Sequence, residues 1–313
     1  MKADCHIHMV LDGIDWRSAM GRHQEAPDEA YIRRVLSVYQ SLGYTYLRDG
    51  GDKLGASKAA KRLAPEYGIT YRTPLSPLSM AGHYGGFIGL QYENLKDYTT
   101  LVLSQKAQGA DFVKIMISGL MDFDHYGVLT EKGLSPALIS QLIHIAHEEG
   151  LAVMAHCNGA RTMEAAAAAG VDSIEHGAYA DGDTLCAMKE NHVIWCPTLS
   201  TISNLLSDTR HNPGESPVTI RAECSYRRHF PDPLGNDTSS KPRHNPGVIQ
   251  AILDSAMENV KLFAQMGGMV VPGTDAGAHN VPHGSQTEIP LLRQCGISDQ
   301  SLITATEKLI SIF

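Results

Sequence analysis

Histidine is the residue type that stands out in this sequence, with 15 copies, and several histidines lie where short apolar runs end. His6 and His8 are two residues apart in the first run, and strand geometry directs side chains at that spacing to the same side. Later runs carry the other candidates, namely Lys114, His156, His176 and Asp275. Imidazole and carboxylate groups suit zinc and similar divalent ions, so these residues predict a metal site.

Lys114 is the least expected residue of this set. It interrupts the apolar run Phe112–Ile117, and a buried ammonium is costly unless it is neutralised or paired. Each other candidate also has a purely structural interpretation, because a core histidine can be hydrogen-bonded and Asp275 can cap a loop. The placement of the whole set on separate apolar runs is improbable by chance, which favours the metal site.

The elements that must hold these residues alternate between strand-like and helix-like patterns. Segments such as Ala30–Leu42 have apolar residues at helical spacing, and several end at a glycine directly before the next apolar run. Eight runs are predicted as strands: Cys5–Val10, Tyr44–Arg48, Thr70–Pro74, Phe112–Ile117, Ala152–His156, Ser173–His176, Val193–Pro197 and Met269–Gly273. Strand–helix units of about 30–40 residues predict an α/β fold, a single-domain (β/α)8 TIM barrel over residues 1–313.

A doubly wound open sheet is the competing α/β architecture, but no GxGxxG motif follows the first predicted strand. In a barrel the C-terminal ends of all strands meet at one mouth, so the candidate ligands converge there. Two long connections also leave strands at this mouth, the glycine-rich Leu75–Asn94 and the arginine-rich Ser200–Asn245. Arg227 and Arg228 in the second connection are interpreted as solvated, with a clamp for a substrate carboxylate as the alternative.

Composition limits the classes of function. The 313 residues are 43% hydrophobic and 19% charged, which excludes a disordered chain. The formal net charge of −8 argues against nucleic-acid binding, and no apolar run approaches the roughly 18 residues of a membrane span. No apolar signal-peptide core is evident and the cysteines form no CxxC pair, so a cytoplasmic protein is expected. The expected partner is a small-molecule substrate rather than nucleic acid or a membrane, and a homo-oligomer is left open.

The segments around the candidate ligands form a recognisable series. They read DCHIHM, DFVKIMISG, AVMAHC, SIEHGAY and VPGTDAG, in this order from residue 4 to residue 277. The series resembles the amidohydrolase superfamily of metal-dependent hydrolases, and most closely its imidazolonepropionase and Xaa-Pro dipeptidase-like branch. Most of that branch has a small β-sandwich built from both chain ends. Because so few residues precede His6 here, we expect a barrel lacking the β-sandwich domain.

The resemblance implies two divalent metal ions, with zinc expected, and a carboxylated lysine formed from CO2. It assigns the ligands as two sets and a bridge: His6, His8 and Asp275; His156 and His176; and carboxylated Lys114. Such metals lower the pKa of a water to give hydroxide near neutral pH. Asp275 is then expected to take the proton of that water and pass it to the leaving group.

Three further residues are candidates for contact with the substrate. Tyr179, three residues past His176, is a catalytic and substrate-binding candidate as donor to the developing oxyanion, although simple packing explains it equally well. His83 and Tyr84 resemble the glycine-rich substrate loop of the family.

The leading hypothesis is a binuclear, metal-dependent amidohydrolase that cleaves an amide bond in a dipeptide or an N-acyl amino acid-like substrate. A lactonase or phosphotriesterase-like enzyme and a cyclic-amide hydrolase or mononuclear deaminase of the same superfamily are the alternatives. Deaminases usually have a glutamate a few residues after the histidine of strand five, and none follows His156 here. A non-catalytic metal-binding barrel is the remaining possibility, disfavoured because every candidate ligand is present.

Overall fold

Parallel strands alternate with helices along the chain, which the computed structural model describes over residues 2–210, 244–278 and 280–313. The strands are β1 (Ala3–Ile7), β2 (Tyr46–Asp49), β3 (Thr70–Arg72), β4 (Leu78–Met80), β5 (Leu90–Tyr92), β6 (Val113–Met116), β7 (Val153–Cys157), β8 (Ser173–His176), β9 (Ile194–Cys196) and β10 (Met269–Val270). The α-helices are α1 (Trp16–Gly21), α2 (Glu29–Ser41), α3 (Ala56–Leu63), α4 (Leu95–Ala107), α5 (Pro136–Glu148), α6 (Ala160–Ala168), α7 (Gly182–Glu190), α8 (Leu199–Arg210), α9 (Pro246–Gln265), α10 (Glu288–Gln294) and α11 (Asp299–Ile312).

The strands form two ladders whose pairings are all parallel. One ladder is β1-β2-β3, and the other runs β10-β9-β8-β7-β6-β4-β5. Backbone hydrogen bonds join both edges of the three-stranded ladder to the larger one. At the β1 edge, the Cys5 N–H donates to Pro272 O (2.8 Å), beyond β10; at the β3 edge, the Asp111 N–H, before β6, donates to Thr73 O (3.0 Å), beyond β3. The strands therefore circle a common axis, and the chain folds as the predicted (β/α)8 barrel. Each predicted strand overlaps an observed one.

Two predicted connections contain regular structure that the sequence patterns did not reveal. Pro74 and Pro77 interrupt the third strand, because proline cannot donate to a ladder, and the chain resumes as β4, which pairs with β6. β5 then pairs with β4, so Leu75–Asn94 is not a plain loop. The connection Ser200–Asn245 begins within α8 rather than as a loop. The buried apolar residues of α8 have helical spacing: Leu199, Ile202, Leu205 and Leu206.

Helix boundaries follow local signals in the sequence. α2 lies one residue from its predicted limits, and the Asp28 carboxylate caps it by accepting from the Tyr31 N–H (2.9 Å). α5 begins after Ser135, whose hydroxyl accepts from the Leu138 N–H (3.3 Å). The glycines predicted to close helices have φ between 68° and 87°, the left-handed conformation that glycine adopts easily: Gly43, Gly68, Gly109, Gly150, Gly170 and Gly267.

The core has outer layers between strands and helices and an inner layer within the barrel. The inner layer draws apolar side chains from strands on opposite sides of the barrel, including Tyr46, Met154 and Ile194, so these side chains must point inward. Phe313, after α11, joins them and packs edge-on against Phe112, with ring centroids 5.2 Å apart. This apolar layer fills the barrel below the residues that carry chemistry.

No helix within the described ranges is both long and apolar enough to cross a bilayer. The cysteines in those ranges are free: Cys5, Cys157, Cys186, Cys196 and Cys295.

Replacement of Gly273 by alanine tests the close packing at the barrel rim. A Cβ there would lie 2.3 Å from Cys196 Sγ and 2.8 Å from His6 Cβ, closer than atoms tolerate. Overpacking of this kind costs about 1–3 kcal/mol, so we expect Gly273→Ala to lower the free energy of unfolding by that amount in urea titrations. Gly182→Ala, at a site with no atom within 4 Å of the new Cβ, is the control. Equal stability of both variants would contradict this packing.

Candidate metal centre

The first set of predicted ligands meets at the mouth of the barrel. Asp275 Oδ1 lies 3.5 Å from His6 Nε2 and 3.3 Å from His8 Nε2, and the two Nε2 atoms are 3.4 Å apart. One ligand atom from each of the three residues therefore lies near a common point. Nitrogen and oxygen donors grouped in this way suit a divalent transition metal.

Backbone pairing brings these side chains together. The Asp275 N–H donates to His6 O (2.8 Å), and the His8 N–H donates to Ala276 O (2.7 Å), so β1 and the segment after β10 run side by side. The His8 ring lies directly over Gly50, where a Cβ would come within 2.5 Å of the ring atom Cε1. A glycine at that position leaves room for the imidazole.

A bulge in β1 orients this strand at the centre. Asp4 pairs with Leu47, but Ile7 pairs with Asp49, so β1 has one residue more than β2 between the two pairings. Bulges next to active sites commonly re-aim side chains. Here Ile7 packs in the outer apolar layer with α2, whereas His6 turns toward the metal-ligand cluster.

The second set of predicted ligands lies beside the first. The rings of His156 and His176 are 4.6 Å apart between centroids, and the His176 ring is 5.2 Å from that of His6. His156 Nε2 donates to Gly119 O (3.2 Å), and His176 Nδ1 is hydrogen-bonded to Thr198 Oγ1 (2.8 Å). Each imidazole thus has one nitrogen held by the protein and one left to bind a metal.

Lys114 lies buried among these ligands, with 1% of its surface exposed. Its Nζ has no hydrogen-bond partner in the described part of the chain. Burial lowers the pKa of this ammonium to about 8, against the opposing effect of the Glu175 and Asp275 carboxylates. A buried amine without a partner is a costly arrangement that packing alone does not explain.

The charge states of the other ligands suit metal binding. Burial, more than the nearby positive charges, holds the pKa values of His6, His156 and His176 well below the ordinary range, so these imidazoles are neutral at pH 7. Burial alone would raise the pKa of Asp275, but the interactions with His6, His8 and Lys114 together outweigh burial and lower that pKa. Neutral imidazole and ionised carboxylate are the forms that bind metals.

Glu175 belongs to the candidate site, although the sequence patterns did not point to it. Its carboxylate accepts from His6 Nδ1 (2.7 Å) and from Arg48 Nη2 (2.8 Å), and all three side chains are fully buried. Such a carboxylate fixes the orientation and tautomer of a ligand histidine. Strand alternation would send Glu175 and His176 to opposite faces, but a φ of 67° at His176 bends the chain, and both side chains reach His6.

The predicted substrate-loop residue Tyr84 lies against the second set of ligands. Its ring is 4.9 Å from that of His156, and Phe87 and Trp16 continue the row outward with centroid separations of 5.9 Å and 5.2 Å. His83 lies further out, 35% exposed at its side chain, with Nδ1 3.4 Å from Glu131 Oε1. The row forms an apolar wall that begins at the centre.

The remaining candidates for contact with the substrate are Tyr179, Arg227 and Arg228. Tyr179 has a φ of 63° and packs edge-on against the exposed Tyr126, with centroids 5.4 Å apart. Its role as an oxyanion donor therefore stays a prediction. Arg227 and Arg228 lie outside the described residues.

Comparison with known proteins places this geometry in a family. The family model described as "Amidohydrolase family" matches residues 3–297, nearly the whole chain. The chain belongs to the amidohydrolase family. This membership confirms the family that the sequence motifs around the predicted ligands indicated for this amidohydrolase.

Relatives of this amidohydrolase include a curated ochratoxinase from Aspergillus niger, 26% identical over 235 residues, or 65% of this chain and 48% of the relative. The chain thus spans about half the length of the curated relatives it matches. A crystal structure of the A. niger ochratoxinase is similar in fold, with a TM-score of 0.71 and 22% identity over 97% of this chain and 69% of that one.

Two peptidase structures are also similar in fold to this amidohydrolase. A Xaa-Pro dipeptidase with methionine bound in its active site has a TM-score of 0.74 and 18% identity, covering 99% of this chain and 75% of the other. A prolidase complexed with N-methylphosphonate-L-proline has a TM-score of 0.70 and 19% identity, covering 99% and 74% respectively.

The buried Arg48–Glu175 pair predicts a large loss of stability in Glu175→Gln. The amide leaves the Arg48 guanidinium buried without a countercharge, which costs about 3–5 kcal/mol in unfolding free energy. Urea unfolding of the metal-free protein measures the loss. Glu258→Gln, which removes an exposed partner of Lys261, should cost less than about 0.5 kcal/mol. A Glu175→Gln loss no larger than this control would show that the buried pair does not hold the centre together.

Proposed function

We propose that the chain hydrolyses the amide bond of a dipeptide or an N-acyl amino acid, using two divalent metal ions with zinc as the expected metal. The observation that carries this proposal is that Lys114 lies buried between the two sets of predicted ligands. Its Nζ has no hydrogen-bond partner among the described residues. Burial is the main reason why the pKa values of His6 and His156 are low, and the charge of Lys114 lowers both further. An ammonium there would repel cations, so the cluster favours metals only if that charge is removed or reversed.

Carboxylation reverses the charge of Lys114. The lowered pKa, about 8, leaves more neutral amine near neutral pH than an exposed lysine would have. The nitrogen lone pair attacks CO2, and a new N–C bond forms while one C–O π bond breaks and its electron pair moves onto oxygen. The nitrogen then releases a proton to solvent. The product is a carbamate, an anion with two oxygen atoms that suits a pair of divalent ions.

The residues present fit two metal ions. His6, His8 and Asp275 would hold one ion, His156 and His176 would hold the other, and the Lys114 carbamate would be shared. When bound, such ions lower the pKa of a water and polarise the scissile carbonyl.

The chain's own groups would then move the proton. Asp275 Oδ2 accepts from the Thr201 hydroxyl (3.4 Å), while Oδ1 faces His6 and His8. The low pKa of Asp275 keeps the carboxylate ionised, so it can accept a proton from the attacking water and pass it to the leaving nitrogen. Tyr84, next to His156, and Tyr179 are the hydroxyl groups proposed to contact the substrate.

The apolar wall supports a substrate with an apolar group beside the amide. Tyr84, Phe87 and Trp16 offer ring faces and edges that pack well against an aromatic or aliphatic side chain. The amino-acid-like ligands in the dipeptidase and prolidase structures support a substrate of the same kind.

Metal content tests the binuclear centre. Elemental analysis of protein expressed with added zinc should find about two ions per chain, and His156→Ala should retain about one because it removes a ligand of the second set only. His144→Ala, which removes an exposed imidazole of α5, is the control and should retain both. Absence of bound metal, or an unchanged content in His156→Ala, contradicts the assignment.

Hydrolysis of a substrate panel tests the reaction. N-acyl amino acids and dipeptides with apolar side chains should be cleaved faster than lactones or phosphotriesters, as measured by product chromatography. Asp275→Asn should lose about 100-fold or more in kcat, because the amide cannot accept the proton. Asp254→Asn, on the outer helix α9, should match the unaltered protein. Full turnover by Asp275→Asn rules out its role as proton shuttle, and a preference for phosphotriesters overturns the proposed substrate class.

A further inference from the structure

Glu288 of α10 is a buried carboxylate outside the predicted ligand set, with 1% of its surface exposed. It accepts three hydrogen bonds from the start of α8: from the Leu199 N–H (3.1 Å), the Ser200 N–H (2.7 Å) and the Ser200 hydroxyl (2.8 Å). The first N–H groups of a helix have no partner within the helix, so a carboxyl group that accepts from them anchors the first turn.

The same turn touches both sets of metal ligands. On one side Thr198 Oγ1 is hydrogen-bonded to His176 Nδ1 (2.8 Å). On the other side the Thr201 hydroxyl donates to Asp275 Oδ2 over a longer distance, 3.4 Å. Residues 198–201 therefore connect Glu288 with one ligand of each set.

Backbone strain is concentrated along this connection. Thr198, His176 and Asp275 have φ values of 49°, 67° and 57°, which L-residues rarely adopt. Such a backbone conformation is unfavourable for an L-residue and persists only where neighbouring contacts hold it. Because Thr198 and both ligands are strained, the anchor on α8 opposes their relaxation.

We propose that Glu288 is a positioning residue of the metal centre, which fixes the first turn of α8 so that Thr198 orients His176 and Thr201 orients Asp275. The proposal rests on the binuclear centre described above. Thr198 occupies Nδ1 of His176, which leaves Nε2 as the nitrogen available to the metal. Contacts of this kind typically change metal affinity or activity by about 10–100-fold.

The chemistry requires a carboxylate at position 288. Three donors share its two oxygens, so both oxygens must accept. A glutamine would turn one acceptor into an NH2 group that faces donors. Glu288→Gln is therefore expected to be disruptive although its shape is nearly unchanged.

A cavity gives small anions access to this position. It has a volume of about 510 Å³ and is lined by Glu288 together with Asp4, Thr274, Arg293 and Thr306. In Glu288→Ala, formate or acetate can enter the space left by the carboxylate and accept the same hydrogen bonds.

The test combines activity with a measurement on the metal-free protein. In the unaltered protein, histidine side-chain ¹⁵N NMR should show His176 in one tautomer, with the proton on Nδ1. Glu288→Gln and Thr198→Val should both shift this signal toward a mixture of tautomers, and Thr198→Ser should restore it. Thr184→Val removes a buried hydroxyl that donates to Asp181, the N-cap residue of α7, away from the centre, and is the matched control.

In the metal-loaded enzyme, Glu288→Gln should lower kcat about 10–100-fold with little change in KM, and formate should partly restore Glu288→Ala. The proposal is overturned if Glu288→Gln leaves the His176 signal, zinc affinity and kcat unchanged. It is also overturned if kcat falls while the His176 signal stays as in the unaltered protein. The NMR readout needs neither metal nor substrate, so absence of hydrolase activity in the unaltered protein counts against the proposed function alone.

Discussion

The buried contact between Arg48, Glu175 and His6 is the interaction on which the rest of the site depends. The guanidinium lies over the ring of Phe313 (4.7 Å to its centroid), so it is packed between the apolar inner layer and the carboxylate above. Its Nε also donates to Cys5 O (2.7 Å), which ties β2 to β1. Because a buried charge needs its partner, the pair holds the carboxylate in place, and the carboxylate holds the imidazole. The orientation of His6, a predicted metal ligand, is thus set by contacts that lie below the candidate metal centre.

Above this pair, the barrel gathers ligands by departing from regular strand geometry. The bulge in β1 turns His6 toward the cluster. The left-handed backbone at His176 and Asp275 lets consecutive residues direct their side chains to the same side of the strand. Regular strands would direct half of these groups toward the outer helices. The local strain is offset by packing and by hydrogen bonds from elements far away in the chain, of which the α8 turn is one.

The sequence was informative where chemistry coincides with a repeating pattern. His6, Lys114 and Asp275 could be predicted because apolar runs at regular intervals indicate strands, and strand ends in a barrel share one mouth. Glu175 and Glu288 could not be predicted in the same way. Regular strand alternation would direct Glu175 away from the site, and only the backbone bend at His176 brings it in. Glu288 reaches the site through the first turn of α8, which it contacts only in the folded chain. Long-range contacts of this kind have no local signal.

Anomalous diffraction from zinc-loaded crystals tests the central claim, that Lys114 converts a cluster of ligands into a binuclear centre. The account predicts two anomalous peaks per chain, one among His6, His8 and Asp275 and one beside His156 and His176. It also predicts continuous density beyond Lys114 Nζ that ends in two oxygens between the peaks. A single peak, with an unmodified Lys114 side chain turned away from it, would contradict the account and favour a mononuclear enzyme.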